Sequence, residues 1–168
     1  MTEHGDVTGP ARERDPSGRP RNARPRDAMG RPLPRGAAGA AQLPDAPALP
    51  PADALRYAQR LLEQDRPFQA HEVLEACWKA APAPERELWR GLAQIAVGLT
   101  HAGRGNATGA VALLTRGAQR VAPYATSPPH GLDPADIAHR AASLAARIGQ
   151  DGPAAAAGTR FSLLPASR

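Results

Sequence analysis

Apolar positions recur at helical spacing from Pro51 onward and follow no regular spacing before it. In ADALRYAQRLLEQD, residues 52–65, Leu55, Ala58, Leu61 and Leu62 fall on one stripe, while Arg56, Arg60 and Glu63 face elsewhere. Pro51 suits a first helical turn, where a missing N–H costs nothing. Pro67 opens a second helix, PFQAHEVLEACWKAA, which stops before Pro82-Ala83-Pro84. The third, ERELWRGLAQIAVGLTHAG, carries Leu88, Leu92, Ile95 and Leu99 down one face and ends at Gly103 to Gly105. Asn106 can cap a fourth helix from Ala107 to about Ala122, with Val111, Leu114 and Val121 inward. Asp133 and Pro134 start a fifth, ADIAHRAASLAARIG, ending at Gly149.

No stretch alternates as a strand would, and the short links between the second, third and fourth helices favour antiparallel neighbours. The pattern predicts an all-α protein, a compact helical bundle of about five helices over residues 51–149. A disordered N-terminal arm at 1–50 and a tail at 150–168 flank it, and the pattern leaves open whether Phe161, Leu163 and Leu164 dock on the bundle.

Composition explains the arm. Its large apolar residues are few, mainly Val7, Met29, Leu33, Leu43 and Leu49, so residues 1 to about 48 are expected not to offset an ordering entropy of roughly 1–2 kcal/mol per residue. The arm also accounts for much of the net charge of +5, with eight arginines between Arg12 and Arg35 against Glu13, Asp15 and Asp27. Such an arm can bind nucleic acid through counterion release. That is the weaker reading, because arginine outnumbers lysine twenty to one across the whole chain and the arm has no aromatic rings on which bases could stack. Partners are otherwise unknown, and a homo-oligomer stays open. Cys77 is the only cysteine, which rules out an internal disulfide and fits a reducing compartment; its apolar neighbours predict a buried, inert thiol. The start MTEHGDVTGP lacks a hydrophobic run, and Gly91 to Thr100 is too short to span a bilayer, so a cytoplasmic protein with no membrane partner is expected.

Candidate chemistry gathers in HEVLEACW, residues 71–78. His71 and Glu75 lie one helical turn apart, so imidazole and carboxylate can address one point, although Lys79 competes for Glu75. On the third helix Glu87, Gly91, Gln94, Gly98 and His101 share a side. Each interior glycine costs about 0.8–1.0 kcal/mol relative to alanine, so two on one face imply another backbone close by. With the second helix taken as that neighbour, His71, Glu75, Gln94 and His101 converge. A divalent metal would then draw on His71, Glu75 and His101, with Glu72 next in line. The zinc-protease pattern is excluded, since it needs histidine where this chain has Glu75. A buried polar lock between helices uses the same four residues without any ligand. His4, His130 and His139 are expected at the surface or in loops, without a role.

The block from Pro67 to about Val121 closely resembles the bacterial and archaeal family called domain of unknown function 309, whose hallmark is matched here by His71, Glu75 and Trp78. Gln94, His101, Gly105, Asn106 and Gly109 extend the match. The resemblance implies an all-α bundle and a motif suspected of binding metal, with no activity attached. The functional expectation is an uncharacterised bundle protein, enzyme or not, with a divalent-metal or small-ligand site at this motif. The alternative is a non-enzymatic interaction or structural module.

Overall fold

In a computed structural model, described over residues 24–39 and 49–165, five α-helices follow one another: α1 Pro51–Glu63, α2 Pro67–Ala80, α3 Arg86–Gly103, α4 Ala107–Val121 and α5 Pro134–Asp151. Short 3-10 turns at Ala83–Glu85, Ala122–Thr126 and Pro153–Ala156 complete the chain path, and no strand forms among the described residues. None of these helices is long and apolar enough to cross a membrane.

The boundaries follow local chemistry. Pro51, Pro67 and Pro134 each open a helix, and Asp133 caps α5 by accepting from the Asp136 amide at 3.0 Å. Asn106 does the same for α4, its side-chain oxygen accepting from the Gly109 amide at 2.9 Å. Gly105 takes a φ of +78°, the left-handed conformation that lets the α3 terminus turn directly into α4. The link between α1 and α2 turns on Asp65 at φ +57°, a conformation aspartate tolerates better than most residues.

Each helix packs on its sequence neighbours, and Leu55, Leu61, Leu74, Leu88, Trp89, Leu92, Ile95, Leu114, Ile137, Leu144 and Ile148 are withdrawn from water. The closest seam is α3 against α4. A Cβ built on Gly117 would stand 2.8 Å from the Gly91 carbonyl oxygen, and one on Gly91 would stand 3.0 Å from that of Gly117. A Cβ on Gly98 would stand 2.8 Å from the Leu114 side chain of α4 and 3.1 Å from its amide nitrogen. The glycine face of α3 therefore looks at α4, not at α2 as the sequence suggested. The physical reason is a matching glycine: only α4 offers a bare backbone, at Gly117, to receive that of α3.

Two flanking segments depart from expectation. Residues 24–39, assigned to an unstructured arm, form a turn that lies on α2 and the C-terminal end of α3; the rest of the expected disorder, 1–23 and 40–48, falls outside the described residues. Local turn chemistry supplies what composition lacked, since Asp27 Oδ1 accepts from the Met29 and Arg31 amides at 2.9 and 2.8 Å. After α5, which runs two residues past Gly149, the chain folds back and buries Phe161 and Leu163 in the core. Gln59 Oε1 of α1 holds it there, accepting from the Leu163 amide at 2.7 Å.

Candidate functional site on helix α2

Helix α2 buries Ala70, Val73, Leu74 and Cys77, which places Phe68, His71, Glu72, Glu75 and Trp78 along an edge that is only half covered. His71 Nε2 lies 3.8 Å from Glu75 Oε2, with side chains 23 and 34% exposed. Glu75 Oε1 is engaged by Lys79 Nζ at 3.1 Å. The His71 ring tilts against Phe68, centroids 6.0 Å apart, and its Nδ1 is buried without a hydrogen-bond partner among the described residues. Burial therefore pulls the His71 pKa below its ordinary value; Glu75 opposes this and Lys79 adds to it. Burial also raises Glu72, with Glu75 adding to the shift and the nearby Arg26 opposing it. Each end of the edge carries an aromatic ring under a guanidinium: Arg26 stands 5.6 Å from the Phe68 centroid and Arg90 5.5 Å from that of Trp78.

The two α3 residues expected to join this edge are occupied elsewhere. Gln94 Oε1 accepts from Arg120 Nε of α4 at 3.0 Å, and the same guanidinium pairs with Glu87, so all three side chains stitch α3 to α4. His101 turns toward the start of α4, where Asn106 Nδ2 donates to its Nδ1 at 2.9 Å. Because the Asn106 oxygen already accepts from Gly109, that amide nitrogen can only donate, which places the His101 proton on Nε2. Among the described residues no three His, Cys, Asp or Glu side chains gather where they could hold a metal ion. The set His71, Glu75 and His101 does not fit a site of three or four protein ligands, because α3 turns its polar face to α4. The four-residue polar lock fails for the same reason.

Cys77 behaves as expected, a free, buried thiol whose pKa burial pushes up to about 11.

His130, expected to be a loop or surface histidine with no role, has definite partners. Its Nε2 lies 2.7 Å from Glu85 Oε2, and its ring packs 5.7 Å from that of the buried Trp89. Glu85 also accepts from Trp89 Nε1 at 3.2 Å, and Tyr124 donates to the Pro84 carbonyl at 2.8 Å. These bonds fasten the link between α4 and α5 to the junction of α2 and α3. The His130 hydrogen bond is the main reason the Glu85 carboxyl sits below its usual range; Trp89 assists and burial opposes. Glu85 and Trp89 are one turn apart and could be paired from sequence, but nothing local points to a histidine forty-five positions away.

A cavity of about 640 Å³ opens elsewhere, between Leu62, Pro67, Leu99, Ala102 and Phe161, with Met29 at its wall; Gly105 lines it, and His71, Glu75 and Trp78 do not.

No curated protein and no solved structure matches this chain. A family model does, and its match begins inside α1 at Leu55, earlier than the resemblance at Pro67 suggested, and ends inside α4. The matched span takes in the α2 edge, the α3 glycines and the Asn106 cap. Residues 55–113 of this chain, all within the helical bundle, thus match the family model described as Domain of unknown function (DUF309).

Proposed function

We propose that this bundle is a non-catalytic interaction module, and that the half-covered edge of α2 is its recognition surface. The observation that carries this reading is the chemistry of the edge: two aromatic rings, Phe68 and Trp78, flank the carboxylates of Glu72 and Glu75, and both rings already sit under guanidinium groups. Rings next to carboxylates suit arginine side chains, which stack on π faces and pair with acids. A divalent metal would find His71, Glu72 and Glu75 on this edge, but among the described residues these do not gather as a three-ligand set, and Lys79 already holds one Glu75 oxygen.

Elemental analysis of protein purified without tag or chelator separates the two readings. An interaction module carries no stoichiometric zinc, iron, manganese or nickel, and its melting temperature is unmoved when these ions are added. Stoichiometric metal that disappears in His71→Ala, with helicity retained, would overturn the proposal in favour of a metal centre.

A further inference from the structure

The segment 24–39 is prefolded and seated on the domain at two separate places. Its turn is closed by the Gly30 amide donating to the Asp27 carbonyl at 2.9 Å and the Leu33 amide donating to that of Pro25 at 2.7 Å. Arg26 Nη1 reaches across the turn to the Gly30 carbonyl at 2.6 Å. At the first place Gly30, buried and at φ +70°, presses its backbone on Phe68; a Cβ there would lie 2.3 Å from the ring. The Arg26 guanidinium covers the same ring and interacts with Glu72. At the second place Met29 lies against Gly103, where a Cβ would stand 2.7 Å from its sulfur, and Arg104 Nε donates to the Met29 carbonyl at 2.7 Å. Arg26, Met29 and Gly30 carry these contacts, whereas Arg31, Pro32 and residues 34–36 are exposed, so a competitor has three residues to displace.

We propose that residues 24–39 are a built-in strap that occupies, in the free chain, the place of a peptide partner with an arginine, an unbranched apolar residue three positions on, and glycine next. This rests on reading the α2 edge as a recognition surface, and it names both the partner chemistry and the device that covers the Phe68 end of that surface. The strap is the template. Arg26, Met29 and Gly30 have that spacing and meet, in turn, the Phe68 ring with Glu72, the Gly103 backbone with Arg104, and the flat face of Phe68.

The test compares full-length wild type with Gly30→Val, whose side chain collides with Phe68 and opposes the positive φ, and with Arg104→Ala, which removes one hydrogen bond. Hydrogen exchange is read at the amides of Gly30, Arg31 and Leu33. A fluorescent peptide of residues 24–39 is titrated in to about 1 mM, the range of effective concentration that short tethers provide. The expected result is protection in wild type, exchange at least tenfold faster in both variants, and an unchanged melting temperature. The peptide should bind Gly30→Val at least tenfold more tightly than wild type, and an Arg26→Ala peptide should not bind. Unprotected strap amides in wild type, with peptide bound equally by wild type and Gly30→Val, would overturn the strap and leave the recognition surface standing. Strap release without peptide binding to any of the chains would overturn both.

Discussion

The α3–α4 seam and the α2 edge both set polar side chains at helical spacing beside a buried stripe, and they come to opposite ends. Along the seam, bare glycine backbones meet, and Gln94, Glu87 and Arg120 satisfy one another across it. Along the edge, His71 keeps a nitrogen without a partner among the described residues, and two rings stay half open. Polar residues that close a seam complete their own hydrogen bonding within the fold. On the edge, burial without such a partner instead holds the His71 pKa below its ordinary value.

The contrast can be broken most forcefully at the seam. Gly117→Ala places a methyl group 2.8 Å from the Gly91 oxygen and 2.6 Å from the Ile95 side chain. Alanine's better helix propensity recovers only about 1 kcal/mol. The separation of the two backbones should lower stability by about 2–3 kcal/mol, read as a drop in the urea midpoint. Stability equal to or above wild type would mean that the helices do not meet there. Arg120→Ala should cost less, about 1–2 kcal/mol, since Gln94 and Glu87 lose a shared partner while water reaches part of the site. A Gln94→Ala variant combined with it should be less than additive in the same denaturation assay.

At the edge the expected effects shrink and acquire a pH dependence. The folded chain holds His71 below its ordinary pKa, so the unfolded chain binds more protons between the two values. Stability should fall as pH is lowered through about 6.5 toward the folded value, and His71→Gln should flatten that part of the profile in thermal melts between pH 7.5 and 5. A wild-type profile already flat there would place His71 in water. Smallest is Lys79→Ala, which removes a largely exposed pair with Glu75 and should change stability by about 0.3–0.5 kcal/mol or less. A loss of several times that size would show that Glu75 is tied more tightly into the domain than its partial exposure implies.

Helix starts at Pro51, Pro67 and Pro134, the caps at Asn106 and Asp133, and the buried stripe of α3 were legible because each depends on neighbours within a turn or two. The close approach at Gly91 and Gly98 was legible too, but the identity of the approaching helix was not. Helix α3 has two sequence neighbours, and periodicity on one helix gives direction only relative to its own axis. The missing cue was Gly117, a mid-helix glycine in α4 whose cost makes sense only opposite another glycine. Once the seam is assigned to α4, Gln94 and His101 leave the proposed cluster together. The partnership of His130 with Glu85 stayed hidden for a different reason, being a long-range contact carried by a loop. The strap was missed because average composition cannot register a single aspartate and a single glycine placed at the two corners of a turn.

One carbonyl on α1 has a consequence for how the domain is made. Gln59 Oε1 gathers the amides of Leu163 and Leu164 and the Ser162 hydroxyl, at 2.7, 3.4 and 3.3 Å. During translation α1 leaves the ribosome about a hundred residues ahead of the segment it receives. Until Phe161 and Leu163 emerge, that flank of the nascent bundle stays uncovered, and the domain reaches its full burial only when synthesis has passed them.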